Sequence, residues 1–170
     1  MVILPHRRKA FRTAPPGNIS TSYSNPGGSG DRTSGIPTIT QSGASNPMSA
    51  AVNFFQLKDG NKATSNIWMP NGCADGEWLK FDFSTAKVIN EIKFYQSGAQ
   101  TQGVWQWEGS NDNSTWTSIG STFTLGGATT STITALSANT TAFRYYRMKK
   151  ISGSTNQSPY ALEFEFKISL

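Results

Sequence analysis

Residues 77–83 read "EWLKFDF". Leu79, Phe81 and Phe83 fall on one side of an extended chain, and Trp78, Lys80 and Asp82 on the other, the two-residue period of a half-buried strand. The same texture continues outward. "VINEIKFY", residues 88–95, brings Ile92 and Phe94 to one side, and "VWQWEGS", residues 104–110, sets Trp105 and Trp107 together. "TSTITAL", from residue 130, alternates Ile133 with threonines, and "FRYYRMKK" follows from Phe143. In "ALEFEFKI", residues 161–168, Leu162, Phe164 and Phe166 face one way and Glu163 and Glu165 the other, and on this alternation Glu163 reads as an ordinary solvent-facing residue. "NDNS" before Trp116 is a turn cluster. Helical periodicity is confined to a short turn around Met48 to Phe54. The spacing of strands and turns predicts an all-β sandwich with its loops gathered at the ends.

Composition agrees. The chain has 170 residues, 36% hydrophobic and only 15% charged, with 16 glycines. One domain is the expectation, and abundant Ser, Thr and Asn suit a turn-rich β protein. Cys73 is the single cysteine, so no intrachain disulfide secures the fold. The apolar run Val2 to Leu4 is too short for a signal-peptide core, and nothing approaches a membrane span, so membrane insertion is not expected.

The net charge is +5 and the isoelectric point about 9.5, but this basicity is uneven. Residues 1–35 carry Arg7, Arg8, Lys9, Arg12 and Arg32 against Asp31 alone, leaving the rest near balance. Nucleic acid is therefore not an expected partner, because such a domain spreads a basic stripe over a folded face. Residues 1–35 are rich in Pro, Gly and Ser without apolar periodicity and cannot bury a core of their own. They are expected to form an extended anchoring arm, with Arg7, Arg8, Lys9 and Arg12 meeting carboxylates or carbonyls of a partner. Residues 36–170 form the sandwich.

"LKDGNKATSNIW", Leu57 to Trp68, holds two readings open. Asp59-Gly60 is a strong turn signal by itself. Asp59, Asn61 and Thr64 also supply closely spaced oxygens of the kind a hard cation takes.

The chemistry of catalysis is absent. His6, the only histidine, lies in the arm, and Cys73 is alone, so neither a nucleophilic dyad nor a tetrahedral zinc site is supported. Asp75 and Glu77 read as polar residues flanking a strand rather than a glycosidase pair. No enzyme is expected. Arg144 and Arg147, three apart on a strand, cannot clamp one anion together, and with Lys149 and Lys150 they read as a solvated strand end.

Six pieces, "LKDGNKATSNIW", "EWLKFDF", "VINEIKFY", "WEGSNDNSTWTSI", "FRYYRMKK" and "ALEFEF", run in the order of the coagulation factor V/VIII type C family, the discoidin-like or galactose-binding-like domains, which this chain resembles over roughly residues 45–168. The resemblance implies a jelly-roll sandwich of about eight antiparallel strands whose loops at one end bind sugars, head groups or proteins. It also implies a structural calcium held by the carbonyls of Leu57 and Asn61, the Asp59 carboxylate, the carbonyl and hydroxyl of Thr64, and Glu163. Many sugar-binding members carry a histidine after the loop tryptophan; here Met69 follows Trp68, so galactose is not singled out.

A shallow sugar site needs an aromatic platform and planar amides. Loops 68–76, 96–103 and 152–160 offer Trp68 and Tyr160 as platforms and Asn71, Gln100, Gln102, Asn156 and Gln157 as amides. Trp68 has an equal claim to the core, and Trp105, Trp107 and Trp116 read as packing. The expected function is a carbohydrate or cell-surface binding module carried in multiple copies on a larger assembly. The basic, proline-punctuated arm resembles accessory proteins of bacteriophage virions, which implies a virion location and assembly proteins as partners of residues 1–35. The alternatives are a carbohydrate-binding module of a secreted, modular bacterial enzyme and a purely structural cement protein.

Overall fold

A computed structural model describes residues 38–42, 54–60, 67–68, 73–96, 98, 101–155 and 160–169. Among them are eight strands: β1 Thr38–Gln41, β2 Ile67–Trp68, β3 Trp78–Gln96, β4 Val104–Ser110, β5 Thr117–Thr124, β6 Thr130–Ile133, β7 Phe143–Ser152 and β8 Tyr160–Ser169. One short 3-10 helix, Phe54–Lys58, meets the turn expected at Met48–Phe54 only at Phe54, and residues 48–53 lie outside the described ones.

All pairings are antiparallel, and β3 belongs to both layers of the sandwich. Its first half pairs with β1 and β7, which continues to β4 and β5. Its second half pairs with β8 and β6, and β8 with β2. "EWLKFDF" and "VINEIKFY" are thus one 19-residue strand that changes sheet where the register breaks between Asp82 and Lys87. Ser84 takes a φ of 62° at that corner, and its N–H donates to Asp82 Oδ1 at 2.8 Å.

The alternating apolar residues meet between the layers. Leu79, Phe81 and Phe83 of β3, Trp105 and Trp107 of β4, and Phe164 and Phe166 of β8 are all buried. Phe81 packs edge-on against Phe164 and Phe166, with ring centroids 5.2 and 4.9 Å apart, the favoured geometry for aromatic quadrupoles. Tyr146, wholly buried, donates its hydroxyl to the Lys87 carbonyl at 2.6 Å and receives the Ile89 N–H, satisfying both polar roles without solvent. Trp105 and Trp107 pack in the core as expected, and Trp116, partly exposed, packs at the edge with the Arg147 guanidinium 4.0 Å from its ring.

Glu163 and Glu165 correct the two-faced reading of β8, for both are buried. This strand lies between β2 and β3, and the 3-10 helix packs against it, so its outer side is covered as well. Glu165 accepts the Tyr95 hydroxyl at 3.0 Å. Lys150 likewise is no solvated strand end. It is 3% exposed, and its Nζ reaches Asp75 Oδ1 at 2.5 Å.

Candidate functional site

The strand directions sort the connections into two ends. Trp78 stands opposite Lys149, Val104 opposite Ser152, and Gln96 opposite Ala161. The connections 69–77, 97–103, 125–129 and 153–159 therefore share one end, the loop end. Turns 84–87, 111–116 and 134–142 share the other, along with the start of β1 and the finish of β8.

Backbone bonds bind the loop end together. Gln96 N–H donates to Thr129 O at 2.9 Å, Gln102 N–H to Leu125 O at 2.9 Å, and Leu125 N–H to Gly103 O at 3.0 Å. A side chain at Gly103, whose φ is +80°, would stand 2.7 Å from Ser152 O, so only glycine lets loops 97–103 and 153–155 approach this closely. Gly76 N–H donates to Lys150 O, and Lys150 N–H to Glu77 O, both at 2.8 Å. Together with the Lys150–Asp75 pair, these pin turn 74–77 to the end of β7 and leave most of the Asp75 side chain exposed. The end is preorganised by backbone bonds, which lowers the ordering cost of binding.

Of the expected sugar-binding residues, Trp68 and Tyr160 are direct partners in the β2–β8 register at the loop end. Asn71, Gln100, Asn156 and Gln157 lie outside the described residues. Gln102 is corrected. It is wholly buried, its Nε2 donates to Gln96 Oε1 at 2.7 Å, and its carbonyl receives Trp105 Nε1–H at 2.6 Å, so it props the loop from beneath rather than facing a ligand. Asp75, read as ordinary in the sequence, is the exposed charged group that the fold fixes there. Its Asp-Gly turn was the visible signal, but the buried lysine beneath it is 75 residues away.

The opening of the expected cation loop meets its distant partner. Gly60 N–H donates to Glu163 Oε2 at 3.1 Å, and Glu163 and Leu57 have no exposed surface. Gly60 and Glu163 are thus brought together, and the 3-10 helix that carries Leu57 packs against β8, whereas Asn61 and Thr64 lie outside the described residues. Among the described residues no three His, Cys, Asp or Glu side chains converge, so an ion at Glu163 would draw most of its ligands from loop oxygens.

Cys73, also at this end, is buried, and burial first and the neighbouring Glu77 second push its thiol up to about 12. A thiol so held is a poor nucleophile. A cleft of about 200 Å³ opens at the opposite end between Thr117–Gly120 and Ala138–Thr141, with Phe143 behind it. Asn139 there donates to the Ile89 carbonyl and to the Tyr146 hydroxyl, bracing the turn from within.

Arg7, Arg8, Lys9 and Arg12 lie outside the described residues. No helix among the described residues is long and apolar enough to cross a membrane.

No curated protein matches the chain. Solved structures do. The family 32 carbohydrate-binding module of C. perfringens NanJ in complex with galactose is 13% identical, with a TM-score of 0.58 over 76% of this chain and 92% of that one. Chitosan-binding module 2, in complex with chitotriose and derived from the chitosanase/glucanase of Paenibacillus sp. IK-5, is 21% identical with a TM-score of 0.57, over 76% and 95%. A CBM32 of AlyQ in complex with 4,5-unsaturated mannuronic acid is 21% identical with a TM-score of 0.57, over 77% and 94%. These likenesses establish the jelly-roll fold of carbohydrate-binding modules. Residues 35–166 match the F5/8 type C domain, and with the match running through both sheets and every loop of the loop end, the chain belongs to the F5/8 type C domain family.

Proposed function

We propose that this protein is a non-enzymatic glycan-binding module whose ligand lies across the loop end. The observation that carries this is the gathering of four connections at one end of the sandwich, opposite the end where β1 starts and β8 finishes. Structures of the same fold hold galactose, chitotriose and an unsaturated mannuronic acid, which supports a sugar as ligand. Trp68 and Tyr160 are the proposed platforms, Asn71, Gln100 and Asn156 the amides, and Asp75 a carboxylate acceptor for sugar hydroxyls or an amino group.

An open site of this kind binds one sugar weakly, on the order of millimolar to high micromolar. Repetition raises the effective strength, and this favours display in many copies. We assign residues 1–35 as the anchoring arm and a virion as the assembly, on the basic, proline-punctuated sequence of that segment. Calcium is proposed as a structural ion at Leu57, Asp59, Asn61, Thr64 and Glu163, supported by the approach of Glu163 to Gly60.

A second reading is a module of a secreted bacterial enzyme. It is favoured by the likeness to truncated AlyQ with CBM32 and alginate lyase domains, 21% identical with a TM-score of 0.56, where the match spans 33% of that chain. The test is a glycan array probed with the protein displayed multivalently. Binding to particular surface glycans that is lost in Asp75→Ala supports the loop-end site. Silence across the array, with the assembly intact, contradicts it and leaves a structural cement protein.

A further inference from the structure

The outer face of the five-stranded layer carries aromatic rings and cations in alternation. Trp78 and Lys80 of β3, Tyr145, Arg147 and Lys149 of β7, and Trp116 before β5 are all partly exposed. The register sets Trp78 beside Lys149 and Lys80 beside Arg147. Lys80 Nζ lies 5.1 Å from the Trp78 ring and 5.9 Å from that of Tyr145, and the Arg147 guanidinium lies 4.0 Å from the Trp116 ring.

The charges on this face do not cancel. Asp82 takes Arg144 in a bidentate pair, at 2.9 Å to each oxygen, and Glu108 takes Arg147 at 2.5 Å. Asp112, at the rim, is engaged by Ser110 Oγ–H and by the N–H groups of Ser114 and Thr115. Lys149 reaches only the already engaged Glu108, at 3.9 Å. Lys80 donates to a neutral acceptor, Asn113 Oδ1, at 2.8 Å. Four cations, Lys80, Arg144, Arg147 and Lys149, thus face three carboxylates, Asp82, Glu108 and Asp112. Lys80 and Lys149 are the two with no carboxylate to themselves, on adjacent strands at diagonal positions whose Cα atoms are roughly 7–8 Å apart.

We propose that this face is a second binding surface, for an extended acidic polysaccharide bearing uronate carboxylates. Lys80 and Lys149 pair with carboxylates of successive sugars, and the exposed side of the Trp78 ring takes pyranose C–H groups, the Tyr145 ring already carrying the Arg144 guanidinium at 4.7 Å. A protein partner fits less well, because interface centres are apolar and aromatic without surplus lysine. Of the exposed large hydrophobics among the described residues, Phe55 belongs to the 3-10 helix and Ile151 alone to β7, and one isoleucine makes no apolar interface centre. Single-stranded nucleic acid fits less well because it engages a longer basic track. The surface is distinct from the loop end, and each is tested by its own variant.

The experiment is affinity electrophoresis of the full chain in gels containing polygalacturonate, a neutral galactan or no polymer, with an oligothymidylate of matched charge as competitor. Lys80→Gln/Lys149→Gln is compared with Asp75→Ala, and thermal melts establish that each is folded. The expected result is salt-sensitive retardation by polygalacturonate that falls roughly tenfold in affinity in the double variant, survives in Asp75→Ala, and resists oligothymidylate. Retardation unchanged in the double variant would overturn the proposal, as would equal displacement by oligothymidylate. Trp78→Ala, which leaves both lysines, is expected to weaken binding without changing its salt dependence. Identical retardation in that variant would overturn the role of the ring.

Discussion

Glu163, a carboxylate with no exposed surface, is held against the backbone of a loop 103 residues earlier. Removing it orphans a partly buried N–H, and such a group costs about 1–3 kcal/mol. An ion bound only by the folded form would add stability by mass action. Chelation is therefore expected to lower the melting temperature of the wild type and to leave Asp59→Ala unmoved; equal melting with calcium and chelator would contradict the ion. Two titrating groups give opposite pH signs. Hydrogen bonding to Arg144 holds the Asp82 carboxyl below its usual range, so its contribution is full at neutral pH and fades as the pH falls below about 4. Cys73 is raised to about 12, so its contribution is full below about 8.5, the usual thiol value, and is lost progressively as the pH rises toward 12. Iodoacetamide at pH 8 is expected to modify Cys73 only after unfolding. Sequence showed Asp59 and Glu163 as a candidate pair through family resemblance. It did not show that Gln102 faces inward or that Lys150 is buried, because alternation assigns a residue to a face without saying whether that face is covered.

At the scale of elements, the two-residue period of "EWLKFDF" was readable because one face of β3 meets the aromatic core. The continuity of β3 was not, since a sheet-changing corner at Ser84 looks like any polar break between strands. Ser84 sits at positive φ, a conformation costing a non-glycine residue about 1 kcal/mol or more. Ser84→Gly is expected to be stabilising by up to about 1 kcal/mol in denaturant unfolding, with no loss of fold. Gly120 is the converse case. At φ +65°, a Cβ there would run into the carbonyl oxygen of Ala135. Gly120→Ala must move β5 away from the turn after β6 and is expected to cost more than about 2 kcal/mol. β5 itself was seen only through family order, because its residues 117–124 are mostly exposed and polar and carry little alternation.

At the scale of the whole molecule, the start of β1 and the finish of β8 stand opposite the loops proposed to bind glycan. Deleting residues 1–35 is expected to leave a folded sandwich with unchanged glycan binding that no longer joins the assembly; normal incorporation of the truncated chain would contradict the anchoring role. The most direct test of the glycan-binding account is an amide chemical-shift titration of the isotope-labelled full chain with neutral and amino-sugar oligosaccharides. The account predicts saturable shifts clustered in residues 73–77, 101–103, 125–129 and 153–155. Shifts confined to residues 111–120 and 134–143 around the opposite cleft, or none with any of the sugars, would contradict it.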